Sequence, residues 1–321
     1  MACKLCGNPA FENVCENCAK ESFKTVEAED ANQSVEVPIP KAGYQIDKDQ
    51  VKLRWNENET SPEIAQIKEK IVDAVERVSF EDFQAALERS IEAFNQLNAQ
   101  DQNPYLVLFD YKPHASKYWT YGLAKDKIAT PPQAARHFSP SFERMDGYTM
   151  LDKEVAEGIK RFAIFDDAIY SGEQVFNRAI KPIAEYFKQR EYGMPQFDLV
   201  IPYVTSRFLA SVEQIKEKYG VEINVLYQKI MPTLKEIMSD ADRTVVANRG
   251  GMMDEVTEEI TYTGSTVTYF DHRMADNHSF SEEIREAAGN MPIPKPYADE
   301  STEYYKQEEA EFEAYKRNFV P

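Results

Sequence analysis

Apolar residues recur along this chain in two rhythms. From Ser61 onward they return every three or four positions. Ile64, Ile67, Ile71, Val75 and Val78 form one stripe, and Phe83, Leu87, Ile91 and Phe94 form the next. That spacing places each set on one face of a helix, as core packing. Ser61-Pro62-Glu63 supplies a capping hydroxyl and a proline at the first helical position, and Ser79 opens the second helix. After Asn103-Pro104 the rhythm changes to unbroken apolar runs of strand length: "YLVLFDY" (105–111), "RFAIFDD" (161–167), "FDLVIPYV" (197–204), "EINVLYQ" (222–228) and "STVTYFD" (265–271). Runs of this kind are buried on both faces of a parallel sheet. Helical patterns at about 115–124, 152–160, 173–190 and 207–219 separate them. The alternation predicts an α/β fold, a doubly wound parallel sheet joined by right-handed crossovers. Ligands bind such sheets beyond the carboxyl ends of the strands, where Asp110, Asp166, Asp167, Thr205, Ser206 and Asp271 fall.

Five segments follow from these patterns: a cysteine-rich module (1–20), a linker (21–60), a helical segment (61–103), the α/β domain (104–280) and an acidic, aromatic tail (281–321). Residues 21–60 are polar, acidic and weakly periodic, punctuated by "VPIPKAG". The tail ends in "EYYKQEEAEFEAYKRNF" and could meet a protein partner. An apolar share of 42% fits a folded chain rather than a disordered one. A net charge of -18 opposes general affinity for nucleic-acid backbone. No run approaches a membrane span, and the N-terminus lacks the apolar region of a signal peptide, which predicts a soluble, cytoplasmic protein.

All four cysteines lie in "CKLCGNPAFENVCENC". Cys3, Cys6, Cys15 and Cys18 make two C-x-x-C pairs, each able to present two thiolates to one metal, so that together they complete a tetrahedron. The pattern predicts a structural zinc site with no open position. The alternatives are two local disulfides or a redox pair. A reducing compartment opposes the first, and a redox motif needs no duplicate. Glu12, Glu16 and Glu21 around the module disfavour nucleic-acid binding.

The chemistry concentrates in "RFAIFDDAIYSGEQVF" (161–176). Adjacent aspartates at the mouth of a buried strand repel one another and lose solvation, so they must hold something. Asp166 and Asp167 point in different directions, poorly placed to clamp one metal but able to accept hydrogen bonds from neighbouring hydroxyls. The loop Ala168, Ile169, Tyr170, Ser171, Gly172 then enters a helix near Glu173, and its amides suit a phosphate. A diol reader beside a phosphate cradle describes a ribose 5-phosphate site. Two alternatives stand: a plain strand–helix turn with solvated aspartates, and a magnesium site of receiver or haloacid-phosphatase type. The latter normally carries a differently spaced acid set and a downstream lysine.

"FAIFDDAIYSGEQ" resembles the PRPP-binding motif of type I phosphoribosyltransferases: four apolar residues, two acids, a short loop, Ser or Thr, then Gly. The resemblance implies that Asp166 and Asp167 contact the ribose hydroxyls and that residues 168–172 hold the 5-phosphate. It also implies that "LFDYKPHASKYW" is the pyrophosphate loop, with Lys112, His114, Ser116 and Lys117 meeting the diphosphate and Lys117 joining the acids as a catalytic group. Magnesium would accompany PRPP. Residues 125–150, with Arg136, His137 and Arg144, fill the place of the variable hood over the base. One position departs from the family. Purine members often carry an acid in the loop, and Tyr170 stands there, a phenol that keeps its proton at neutral pH.

A four-cysteine module ahead of such a domain is similar to the order in the ComF family of competence-associated proteins. Divergent phosphoribosyltransferase-like domains also serve as effectors in bacterial defence. The function expected from the resemblance is phosphoribosyl transfer with release of pyrophosphate. The alternative is a non-catalytic nucleotide sensor or effector subunit acting through a protein partner. Beyond the last strand, "YFDHRMADNHSF" (269–280) offers His272 and Arg273 to a substrate, and a homo-oligomer is compatible with all of this. For the N-terminal module, the purified chain should contain stoichiometric zinc by mass spectrometry. Cys3→Ser with Cys15→Ser should remove it, whereas full zinc content in that variant contradicts the ligand assignment.

Overall fold

The capped stripes form helices where the sequence places them. Ser61 accepts a hydrogen bond from the Ile64 amide at the start of the helix Pro62–Asp73. Ser79 accepts from the Asp82 amide at the start of the 21-residue helix Phe80–Gln100. The computed structural model describes residues 46–101, 103–109, 116–137, 155, 157–247 and 266–272, all within the unit Val37–Pro321. The cysteine module, residues 138–154, the "NRGGMMDE" stretch, Arg273 and the acidic tail lie outside the described residues.

In chain order the strands are β1 (Glu76–Val78), β2 (Tyr105–Phe109), β3 (Ala134–His137), β4 (Arg161–Phe165), β5 (Ala168–Ile169), β6 (Gln196–Val200), β7 (Tyr203–Thr205), β8 (Glu222–Leu226), β9 (Lys229–Met231) and β10 (Thr268–Phe270). Five of them form one parallel sheet in the order β3-β2-β4-β6-β8. Counted along the chain within that sheet, the order is 2-1-3-4-5, so the winding reverses between β2 and β4. That is the switch point where α/β sheets bind ligands.

Alternation along β4 covers both faces. Phe162 and Ile164 join the core built with Ile183 and Phe187 of the helix Lys181–Arg190, Phe208 and Val212 of the helix Ser206–Tyr219, and Phe197 of β6. On the other face the Phe165 ring meets Phe94 of the 80–100 helix at 5.6 Å, edge to face. Each fully buried phenylalanine contributes about 1.5–3 kcal/mol. The 80–100 helix therefore covers one face of the α/β sheet, although its position in sequence suggests a segment of its own.

Helix after β5 runs from Glu173 to Arg190, with a π-helical stretch over Phe176–Ile180. Pro182 lies just past that stretch and brings no amide proton to the ladder, and widening the turn before it relieves the clash of its ring.

Four expectations need correction. "STVTYFD" does form a strand, but β10 pairs in parallel with β1 in a separate two-stranded sheet rather than extending the main one. The run "FDLVIPYV" is two strands, because the Ile201-Pro202 step carries a proline that cannot donate to the ladder. Residues 134–137, inside the predicted hood, form edge strand β3. The predicted linker contains a helix, Lys48–Asn56, capped by Asp47. Its Val51 is buried against Val72. Lys68 ties the following turn down, donating to the Trp55 carbonyl at 3.0 Å and pairing with Glu59 at 3.1 Å.

The main strands also restart. After two-residue breaks at Asp166-Asp167, Ile201-Pro202 and Tyr227-Gln228, the chain continues as β5, β7 and β9, a second parallel sheet in that order. Amide bonds bridge the gap: Asp166 donates to the Val200 carbonyl and Ile201 to that of Leu226.

At the opposite, amino ends of the strands, Arg161 and Asp198 form a fully buried ion pair. Asp198 also accepts from Asn224 at 2.8 Å, and the Arg161 guanidinium lies over the Phe94 and Tyr105 rings. Removing one partner strands a buried charge, so Asp198→Ala should cost about 3–5 kcal/mol in urea denaturation. The exposed pair of Lys216 with Glu213 provides the control, and Lys216→Ala should cost under about 1 kcal/mol. Equal midpoint shifts would contradict this assignment.

Candidate functional site

Strand β4 ends at Phe165, and the next two residues turn at the switch point. Asp166 and Asp167 are 5% and 2% exposed. Each carboxylate first satisfies the next amide: Asp166 Oδ1 accepts from Asp167 N at 3.0 Å, and Asp167 Oδ1 accepts from Ala168 N at 2.8 Å. The remaining oxygens face cations from different elements. Lys117 Nζ, on the helix Ser116–Ala124 that follows β2, lies 3.3 Å from Asp166 Oδ2. His272 Nε2, two residues past β10, lies 3.4 Å from Asp167 Oδ2. The two buried acids are thus flanked by two potential cations, Lys117 beside Asp166 and His272 beside Asp167. Burying such charges costs several kcal/mol per ion, and only close countercharges offset it.

The fold brings together Asp166, Asp167, Lys117 and His272, which are far apart in sequence. Ser116 is buried at the start of the Lys117 helix. Lys112, His114 and Arg273 lie outside the described residues, as do Cys3, Cys6, Cys15 and Cys18. Among the described residues, no group of three or more His, Cys, Asp or Glu side chains could hold a metal ion.

The loop after the acids divides in two. Ala168 and Ile169 form β5, pair with Tyr203 and Val204, and are buried. Tyr170, Ser171 and Gly172 make the turn itself. The Tyr170 ring is partly buried against the cluster of Ile64, Ile67, Leu234, Met238 and Tyr269, and its carbonyl accepts from the Thr205 hydroxyl. Ser171 Oγ accepts from the Glu173 amide at 3.3 Å. Gly172 adopts a left-handed φ of 76°, and a Cβ there would stand 2.4 Å from the Phe208 ring. Both the dihedral and the contact demand glycine.

Of the other strand-end residues, Asp110 lies outside the described residues, and Asp271, Thr205 and Ser206 serve structure. Asp271 forms a two-bond pair with Arg77 at 2.7 and 2.8 Å. Thr205 caps the 206–219 helix, accepting from the Phe208 amide. Ser206 donates to Glu236. Burial pushes the Glu236 carboxyl up, but the bonds from Ser206 and Thr233 outweigh it and hold the group below its usual value. Burial raises the Tyr203 phenol to about 12.

Two features escaped the sequence. Arg207, beside Phe208, has its Nη1 shielded from solvent with no hydrogen-bond partner, and burial lowers its pKa against the pull of Glu173. A cation in the first turn of a helix opposes the helix dipole, and that was the available signal. The second is the ring of aromatic side chains around His272. Phe83 was legible only as a core position, and Phe80 carried no reading of its own.

A cavity of about 440 Å³ opens elsewhere, lined by Ile46, Asp47, Lys48, Asp49, Val75, Arg77 and Tyr269. Several of its charges already serve the fold: Asp47 caps a helix, Lys48 bonds the Asp73 carbonyl and Arg77 holds Asp271. No family model, curated protein or solved structure matches this chain.

The glycine assignment can be measured. Gly220 also has positive φ, but a Cβ there meets nothing within 4 Å. Gly220→Ala should therefore cost about 1 kcal/mol from backbone strain alone. Gly172→Ala should cost about 1–3 kcal/mol more, because it also overpacks Phe208. Equal losses by thermal denaturation would contradict the close contact.

Proposed function

We propose that this chain is a cytoplasmic protein of phosphoribosyltransferase fold that binds PRPP or a ribose 5-phosphate nucleotide at the end of β4. The observation that carries the reading is the position of the acid pair. Asp166 and Asp167 terminate the central strand at the switch point, beside a cation from the neighbouring strand's helix. In this reading the carboxylates accept hydrogen bonds from the ribose 2- and 3-hydroxyls, and the turn Tyr170–Gly172 lies against the 5-phosphate. Ala168 and Ile169, paired in β5, fix where that turn begins. Lys117 and Ser116 would meet the diphosphate, as would Lys112 and His114, which lie outside the described residues. Magnesium bound with PRPP would supply neutralisation of diphosphate charge.

Transfer would break the bond between the anomeric carbon and the diphosphate oxygen as the acceptor's nucleophile bonds to that carbon. The diphosphate takes the bonding electrons as it leaves. The chain contributes positioning and charge stabilisation rather than a covalent intermediate. Zinc, held by the four cysteines, would have a structural role in this account.

A second reading is a non-catalytic sensor or effector, of the kind used in bacterial defence, that uses the same site as a switch and docks a partner through its zinc module or acidic tail. Tyr170 favours it. The residue in the loop position where purine members often carry an acid is packed into the apolar cluster of the N-terminal helix.

Titration calorimetry with PRPP and magnesium tests the shared claim. Wild type should bind, and Asp166→Asn with Asp167→Asn should weaken binding at least tenfold, since bonds to charged acceptors contribute about 1.5–3 kcal/mol each. No binding by wild type, or undiminished binding by the double variant, sinks the proposal. Release of pyrophosphate with turnover then selects the enzyme, and binding without turnover selects the sensor.

A further inference from the structure

His272 sits in an unusual place for a group that ionises near neutral pH. Its side chain is 6% exposed. Four aromatic rings surround it: Phe83 with its centroid at 4.5 Å, Trp119 at 5.0 Å, Phe270 at 5.1 Å and Phe80 at 5.9 Å. Neither ring nitrogen has a hydrogen-bond partner among the described residues, and the polar contact of the imidazole is Nε2 with Asp167 Oδ2. Buried polar groups are normally satisfied, so a histidine placed this way calls for a reason.

We infer that His272 is a positioning residue for the acid pair: held in its aromatic box, the imidazole fixes the Asp167 carboxylate for the ligand. This inference rests on the ribose-phosphate reading and adds a residue to it. His272 was expected to reach the substrate directly. Its burial and its contact assign it instead to act through Asp167.

Three physical arguments converge. Asp167 Oδ1 accepts from the Ala168 amide, and His272 addresses the other oxygen, so the carboxylate is held from both sides. The rings hold the imidazole by packing, with Phe80 and Trp119 meeting it edge to face at interplanar angles of 73° and 70°. The box also draws on three separate elements, the 80–100 helix, the 116–124 helix and β10, so the ring cannot shift without disturbing all of them. The N-terminal helical layer is thereby coupled to the candidate site.

The charged groups nearby are engaged with other partners: Lys117 with Asp166, Asp271 with Arg77, and Asp82 with the Ser79 hydroxyl.

Two measurements test the assignment. The first is the titration of His272 by NMR in the full-length chain, its signal identified by its loss in His272→Gln. Asp167→Asn removes the countercharge and should lower the titration midpoint of His272, whereas an unchanged midpoint overturns the inference. The second is PRPP affinity at a single pH. His272→Phe, which fills the aromatic box without a polar atom and has an unaltered circular dichroism spectrum, should bind about tenfold more weakly, and His272→Gln, which keeps a side-chain N–H, should recover part of the loss. Unchanged affinity in His272→Phe overturns the positioning role. If wild type fails to bind PRPP, the ribose-phosphate reading falls, and the NMR titration alone decides whether His272 and Asp167 act as a pair.

Discussion

Two carboxylates buried side by side at the end of a central strand need polar or charged partners, and that requirement organises much of this fold. Asp166 and Asp167 do not find them all on β4 itself. Lys117 comes from the helix after β2, and His272 from the exit of β10. The first partner exists because β2 is the parallel neighbour of β4. The second exists because β10 pairs with β1, just ahead of the 80–100 helix, and so carries His272 to the rings of Phe80 and Phe83. Leaving either charge alone would cost several kcal/mol, comparable to the net stability of a domain.

The break that exposes the acids to these partners is part of a wider pattern. Three adjacent strands stop, turn for two residues and restart as a second sheet, and the acid pair is the break in the first of them. In the second, Pro202 makes the interruption obligatory, and in the third the gap falls at Tyr227-Gln228. The restart explains why the turn after the acids is short. Ala168 and Ile169 are spent on pairing, and only Tyr170 to Gly172 remain before the helix. Gly172 then closes the turn tightly enough to rest on Phe208. Paired charges and a narrow turn suit recognition by shape and charge more than by a reactive side chain.

Much of the fold was legible from periodicity. The caps at Ser61 and Ser79, the strands at 105, 161 and 222 and the helices at 116, 173 and 206 stand where the pattern puts them, because burial on both faces writes itself into unbroken apolar runs. What was hidden depends on pairing. The sequence of β10 reads like any buried strand, and nothing local says that its partner is β1. Strand β3 is short and carries polar residues at the sheet edge, and β1 and β5 are two or three residues long, below the length at which alternation is visible. At the candidate site, the acids, Lys117 and His272 were each readable as residue types. Their convergence was not, since it depends on contacts between residues far apart in the chain.

The central claim is that the acid pair at the switch point holds a ribose. A crystal structure of the chain with PRPP and magnesium tests it most directly. The account predicts ribose hydroxyls within hydrogen-bond distance of Asp166 and Asp167, with the 5-phosphate against Tyr170–Gly172. Ligand density in the cavity beside Arg77 and Tyr269 instead, with no ligand atom within hydrogen-bond distance of either carboxylate, would contradict it.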